Sequence, residues 1–558
     1  MTDNNNNNFN EIIPYNKNME ISSRTGYNKF INRANYQRDE EDVDLVVNTE
    51  PISHRISMDT IDLSKISISP VIREDVDYAR FSLGFTHWMH ASKNKTEVFN
   101  KFKGKKRVYQ VVNPYEIYID EYKESMGNIA QEYFGLDKRP NILSRAFYKL
   151  WELIYYYDLI DIKAKSFKSA HLAEGPGSFI QAVMFFRDRY TNSSNTDKYY
   201  AVTIHSEDED NVPSLETKFI SYYAKENPKR VYIHKTYNKQ IAGGSKTKDN
   251  GDLTNTKTIN NFKKEINDKV DLVTGDGGFN WTNENIQEQE CAILIYGQIV
   301  TAINIQKKGG NFVLKVYEMF TKLSAKYIIL LKYFYDEVYI NKPLTSRGSN
   351  SERYLVCKNF KFNENDISGI IKKLMDSLDV MTDAYNRNIK YITDIFPNIR
   401  IPNKLSLDLI TINTKIANQQ FRVINKMITF INGSNYFGVQ YGQYREKQII
   451  ANKHWIEVFM NDDKKSFEKA VILLNKSNKN QLDVYNNFSS SLIGYNTENK
   501  IEKKISRVKP MKLKKKVITV IDDKKSKSKS KSKSKSKSKS KSKSKSKSKS
   551  KSKSKSKI

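Results

Sequence analysis

The sequence predicts an α/β protein: a doubly wound, mostly parallel sheet, then a mainly helical region, then a disordered tail. Three observations carry this. Between about residues 76 and 362, short apolar runs alternate with amphipathic stretches and turn signals. One turn, Gly175-Pro176-Gly177, joins a strand-like segment to a helix-like one. From 363 to 502 strand-like runs thin out, and apolar residues recur at helical spacing.

Taken in order, SFKSAHLA reads as a strand, GPGS as a tight turn, FIQAVMFFRDRY as a helix and YYAVTIHS as a second strand. VDLVTGD is a strand ending at an acid, and NIQEQECAILIYGQIVTAINIQKK a long amphipathic helix stopped by Gly309–Gly310. NFVLKVY is a strand and YIILLKYF the end of a helix. EVYINKP and RYLVCKNF are close enough in sequence for an antiparallel edge. Ligands of such a sheet gather at the carboxyl ends of its strands. DISGIIKKLMDSLDVMTDAY and QFRVINKMITFI predict helices in the region that follows. Residues 1–75, rich in Asn, Asp, Glu and Arg, predict a poorly ordered or peripheral arm. Residues 503–558 are basic and end in a Lys–Ser repeat that cannot bury a core.

The net charge is +31, of which 18 lysines lie in Lys524–Lys557, leaving +13 to residues 1–523. That excess favours an anionic partner such as RNA, through phosphate contacts and counterion release. The repeat itself suits an RNA-binding arm, a phosphorylatable charge switch or a localisation signal. Two cysteines, Cys291 and Cys357, sit in apolar runs and predict a reducing compartment without a disulfide framework. The histidines show no zinc-like spacing. The start lacks a basic, apolar leader and YIILLKYFY is too short to span a bilayer, so a soluble, intracellular protein is expected.

Ala173-Glu174-Gly175-Pro176-Gly177-Ser178-Phe179 lets the backbone approach a ligand closely, and the helix after it offers N–H groups suited to a carboxylate. It lacks the Lys-Ser/Thr ending of phosphate-binding loops. Gly251-Asp252-Leu253-Thr254 places a short acid at the same end of the sheet, to accept from an adenine amino group or to serve as a turn or helix cap. Lys149 lies beside an apolar helix face of Phe147, Leu150, Trp151 and Ile154. Asp276 ends a strand and Glu352 begins one. Each of these three has an ordinary explanation alone. Lys315, between Leu314 and Val316 on an apolar strand, does not, because an unpaired ammonium there is costly.

SRAFYKLWE, AEGPGSF, DLVTGDGGFNW, NFVLKVY and NSERYLVC, in that order within residues 107–360, resemble the FtsJ-type ribose 2′-O-methyltransferases. The resemblance implies a Rossmann-like methyltransferase sheet, S-adenosyl-L-methionine as cofactor and a tetrad of Lys149, Asp276, Lys315 and Glu352. It puts Ala173–Phe179, Asp252 and Leu253 on the cofactor, with Ser178 where a third glycine is common. Lys315 then serves as the base for the 2′-hydroxyl, its pKa drawn towards neutrality by burial and by Lys149, while Asp276 and Glu352 hold the lysines in register. No metal is needed, since the leaving group is already a sulfonium. Asn113-Pro114-Tyr115-Glu116, GGFNW with the residues after it, GDLT and KPLTSRGSNSERY resemble the eukaryotic and viral mRNA cap enzymes within that family. That likeness implies Asn285, Ile286, Gln287 and Asn350 along capped RNA and Arg107 at the cap or a phosphate. An rRNA or tRNA ribose methyltransferase and a non-catalytic RNA-binding platform are the alternatives. Residues 363–558 resemble no family, and the Asn, Ile, Lys and Tyr bias suits an AT-rich genome such as that of a large DNA virus.

Overall fold

The computed structural model describes residues 47–82, 84–116, 129–204, 222–223, 230–234, 249–278, 282–433 and 439–460. The Asn-rich start, residues 461–502 and the Lys–Ser tail lie outside the described residues. Strands β1 (Ile52–Arg55) and β2 (Val71–Arg73) come first, followed by helices α1 (Phe85–Asn94) and α2 (Ile129–Phe134). The α/β alternation then runs through α3 (Ala146–Tyr157), β3 (Lys168–Leu172), α4 (Ser178–Tyr190), β4 (Lys198–Val202), β5 (Val231–Ile233), α5 (Thr256–Ile266) and β6 (Val270–Gly275). It continues with α6 (Gln287–Glu290), α7 (Ala292–Ile305), β7 (Gln306–Tyr317), α8 (Lys322–Phe334), β8 (Tyr335–Lys342) and β9 (Glu352–Phe360). The last described elements are α9 (Glu364–Asn386), β10 (Tyr391–Asp394), α10 (Asn403–Asn432) and α11 (Val439–Phe459).

One eight-stranded sheet has the order β1-β8-β9-β7-β6-β3-β4-β5. Strands β3 to β7 are parallel, whereas β9 lies antiparallel between β7 and β8. Strand order reverses between β3 and β6, the switch point where open α/β sheets bind ligands. There the Asp276 N–H donates to the Leu172 carbonyl at 3.2 Å and ties the two strand ends together. Side chains alternate across a pleated strand, so the inner strands feed two cores. Phe312, Leu314 and Val316 of β7 join α7, α8 and α9 in one core, while Val313 joins α3 and α4 in the other. Lys315, two residues beyond Val313, therefore stands on the α3 side. That is the side of Lys149.

Three expectations need correction. Residues 47–75 are not a peripheral arm: β1 pairs antiparallel with β8, and Ile56, Met58 and Leu63 are 1–3% exposed in the core. Asp408 on α10 fastens this segment, accepting from the Ser57 N–H at 2.7 Å and meeting His54 at 2.9 Å. β8 and β9 are antiparallel as expected, but β1 covers β8, so neither is the edge. The long helix after Asn285 is two helices, α6 and α7, ending at Ile305. Gly309 and Gly310 lie inside β7. Helix α7 is buried almost throughout rather than amphipathic, because α9 packs over the face that would meet water.

The region after 363 is mainly helical, with the short β10 paired to β2, and it packs back on both cores rather than standing apart. Leu405, Leu409, Ile412 and Ile416 of α10 enter the first core, and Ala451, Trp455 and Phe459 of α11 the second. Both cysteines are buried and free. Among the described residues no helix is long and apolar enough to cross a membrane.

Glu152 on α3 joins three elements. It accepts from the Leu344 and Thr345 N–H groups (2.7 and 2.9 Å) and from the Trp455 indole (3.1 Å). Burial pushes its pKa up to about 7, against the pull of those hydrogen bonds. A carboxyl raised on folding contributes stability below its unfolded pKa that is lost as pH rises through the folded one. Glu152→Gln fixes the neutral form. Its Tm relative to the parent is therefore expected to improve by about 2 °C or more between about pH 5 and about pH 8. A difference that stays constant over that range contradicts the assignment.

Candidate active site at the carboxyl ends of the strands

Helix α3 and strands β6, β7 and β9 bring the four expected ionisable side chains together. Antiparallel register sets Lys315 opposite Tyr354 and Tyr317 opposite Glu352, so Lys315 and Glu352 are diagonal neighbours. Lys149 Nζ lies 2.7 and 2.9 Å from the two Glu352 carboxylate oxygens. Lys315 Nζ lies 3.0 Å from Asp276 Oδ1 and donates to the Asp276 carbonyl at 2.7 Å. The four side chains are only 11–19% exposed. Two separate ion pairs result.

Their electrostatics differ from the expectation for Lys315. Burial alone would lower its pKa, but Asp276, Tyr317 and Glu352 overcome that and hold the ammonium well above the usual lysine range. Lys149 is paired with Glu352. Burial would likewise raise Glu352, yet Lys149, Lys315 and Lys342 hold it at about 2.

Lys342 escaped the sequence reading. At the end of β8 it is 2% exposed and donates to the Glu352 carbonyl (2.8 Å), the Asn350 carbonyl (3.1 Å) and Asn350 Oδ1 (2.7 Å). Burial draws it down to about 7, opposed by Glu352 and aided by Arg353 and Lys149. Arg145 and Arg347 were missed as well. Arg347 grips Glu116 through both carboxylate oxygens (2.5 and 2.7 Å), and Arg145 donates to the carbonyls of Glu116 and Thr345. For Lys342 and Arg347 the signal was the recurrence of Lys and Arg in KPLTSRGSNSER, close to an amide and an acid; Arg145 lies beside the Lys149 helix in SRAFYK.

The loop Ala173–Phe179 leaves β3 at the switch point, with Ala173 and Gly177 at φ 52° and 111°. The α4 N–H groups expected to meet a ligand carboxylate are partly taken. Glu174 accepts from the Phe179 and Ile180 N–H groups, each at 2.8 Å. Its burial, 2% exposed, and the nearby Asp276 push its pKa up against those hydrogen bonds. Its other oxygen, Oε2, is buried without a hydrogen-bond partner. Phe179 lies 6.2 Å from the ring of Tyr354, which joins this loop to the Lys315 strand pair.

Asp252 caps its own turn: Oδ1 accepts from the Thr254 N–H and hydroxyl, both at 2.9 Å. The loop is anchored upstream by His234, which lies 2.9 Å from Asp249 and 2.7 Å from Glu265. Burial would lower His234, but those two carboxylates raise it to about 9. Leu253 is buried, and its carbonyl lies against Gly297 of α7.

Of the residues expected along RNA, two stand near the tetrad. Gln287 accepts from the Ser351 hydroxyl at 2.6 Å, beside Glu352. Asn350 lines a cavity of about 270 Å³ with Ser144, Arg145, Ala146, Lys149 and Arg347. Asn285 instead donates to Asn94 on α1 (3.2 Å), Ile286 is half-buried beside it, and exposed Arg107 lines neither this cavity nor a larger one next to it. Among the described residues no three His, Cys, Asp or Glu side chains are grouped to hold a metal.

A doubly wound sheet with paired lysines and carboxylates at its switch point defines the class: residues 142–360 match the FtsJ-like methyltransferase family and form an FtsJ-like methyltransferase domain. Parts of the chain are similar to particular proteins. The cap-specific mRNA (nucleoside-2′-O-)-methyltransferase 1A of Caenorhabditis briggsae is 30% identical over 219 residues, covering 38% of this chain and 24% of that protein. The cap-specific mRNA (nucleoside-2′-O-)-methyltransferase 1 of Mus musculus is 38% identical over 123 residues, 21% of this chain and 15% of that protein. An uncharacterized protein of Acanthamoeba polyphaga mimivirus is 28% identical over 284 residues, 50% of this chain and 32% of that protein. The chain thus spans between 15% and 32% of the length of these relatives.

A Cβ at Gly297 would lie 2.1 Å from the Leu253 carbonyl oxygen, which α7 and the Asp252 loop can accommodate only by separating. Gly297→Ala is expected to cost about 1–3 kcal/mol in urea denaturation. An unchanged midpoint contradicts this close approach.

Proposed function

We propose that this domain transfers a methyl group from S-adenosyl-L-methionine to a ribose 2′-hydroxyl of RNA, with the first transcribed nucleotide of capped mRNA as its substrate. The arrangement of Lys315–Asp276 and Lys149–Glu352 beside the Ala173–Phe179 loop carries the reading. Cap specificity is supported by the named activity of the relatives and by the Asn113–Glu116 and Ser346–Glu352 segments, which lie against each other through Arg347.

The loop residues fit the cofactor on one point: Glu174 Oε2, buried without a hydrogen bond and 3.9 Å from His171 Nδ1, suits a donor such as the cofactor's ammonium. Gly175–Gly177 would admit the ligand close to backbone, with Asp252 and Leu253 at its adenine end. When bound, the cofactor supplies an electrophilic methyl on a sulfonium.

The chain's own residues then manage one proton. Lys315 receives it from the 2′-hydroxyl, after first giving up the one that Asp276 and Glu352 hold on it. Activity should therefore climb with pH on the alkaline side. Glu352, held at about 2 by its lysine neighbours, stays ionised and keeps Lys149 in place.

Labelled cofactor with short RNAs tests the reading. Incorporation is expected on capped RNA, and equal labelling of uncapped RNA removes cap specificity. Lys315→Ala should lower kcat by about 100-fold or more while cofactor binding persists, and full activity would exclude Lys315 as the base. Asp276→Asn removes the carboxylate that raises Lys315, so the acidic limb of kcat against pH should shift to lower pH. A limb that does not move argues for another base.

A further inference from the structure

Helix α10 has two working faces. Leu405, Leu409, Ile412 and Ile416 enter the core, while Lys415, Gln419, Arg422 and Lys426, spaced i, i+4, i+7 and i+11, share another face. That second face walls a cavity of about 380 Å³, closed by Tyr444 and Lys447 of α11, by Asn113–Tyr115 and by the β8–β9 connection. Its volume lies in the range of small-ligand sites. Lys415, Arg422, Lys426, Lys447 and Lys342 line it, against a single acid, Glu50. Arg145 and Arg347 line both this cavity and the smaller one beside Lys149, so the two adjoin. Asn113, 3% exposed, also lines it with a carboxamide oxygen that has no hydrogen-bond partner.

We infer that this cavity binds consecutive phosphates of the RNA next to the methylated ribose, so that α10 and α11, outside the matched family segment, build half of the substrate site. The inference rests on the reading of the protein as an RNA methyltransferase. Positive charge concentrated along a concave wall attracts phosphates more strongly than the same charge on an open surface. The shared arginines make the route from cavity to tetrad continuous for one chain. An unpartnered carboxamide suits a ribose or base donor, which separates RNA from a plain polyanion.

The test compares the full chain with an Arg422→Glu/Lys426→Glu variant, both of whose sites are exposed and outside the tetrad. Fluorescence anisotropy reads binding of a short 5′-triphosphorylated RNA, a 5′-hydroxyl RNA and poly-glutamate over a salt series without cofactor. Steady-state methyl transfer is read beside it. RNA Kd and KM are expected to rise about tenfold or more with kcat within about twofold. The slope of log affinity on log salt should fall by about 1.4 for two lost contacts. Equal loss with both RNAs assigns internal phosphates to the cavity, and loss confined to the triphosphate assigns the 5′ end. An Arg422→Lys/Lys426→Arg variant keeps the charge and should bind like the parent. Unchanged RNA affinity overturns the inference, including the case in which only poly-glutamate binding falls. If neither protein transfers methyl but RNA affinity drops in the charge-reversed variant, the cavity stands and the enzymatic reading fails. Methyl transfer with identical KM in both proteins gives the opposite result.

Discussion

The ion pair between Lys315 and Asp276 is the constraint around which the site is arranged. A lysine on a core-facing strand needs a carboxylate, and Asp276 supplies one because β6 ends beside β7 at the sheet's switch point. The carboxylate alone would leave the site near neutral. Glu352, entering from the antiparallel β9, adds negative charge, and Lys149 on α3 balances it. Each element thus contributes one charge, and the sheet order decides which charges meet. The consequence is specific: Asp276, Tyr317 and Glu352 favour the ammonium form of Lys315 against the pull of burial, and the proposed reaction requires that form to be left.

Around the tetrad runs a belt of anchored loops. Lys342 gathers the residues before Glu352, Arg347 and Arg145 draw in the Asn113–Glu116 segment, and Glu152 binds the same connection to α3 and α11. The helices beyond the FtsJ-like segment are therefore built into the framework of the site. Removing them would expose both cores and the backbone groups that hold the β8–β9 connection.

The tetrad was legible because Lys315 breaks the apolar pattern between Leu314 and Val316, and because the motif order around it resembles a known family. The parallel strands were legible from their apolar runs. β1 was not: four residues, ISHR, carry no alternation, and only pairing with β8 makes them a strand. The burial of α7 (Ala292–Ile305) depends on α9 (Glu364–Asn386), far along the chain, which local periodicity does not report. The ionisation of Lys315 was misread for a similar reason. Its direction depends on which carboxylates stand nearest, and Lys149 is paired with Glu352. Glu174 taking the α4 N–H groups for itself was likewise hidden, since only the folded turn brings its carboxylate back onto its own helix.

The most direct measurement is the titration of the Lys315 side chain in the ligand-free protein, followed by heteronuclear NMR and assigned with Lys315→Arg. A Lys315 that stays protonated beyond the ordinary lysine pKa of about 10.4, and titrates lower in Asp276→Asn, is the expected result. A Lys315 that loses its proton near neutrality with Asp276 in place contradicts the paired-charge arrangement on which the site rests.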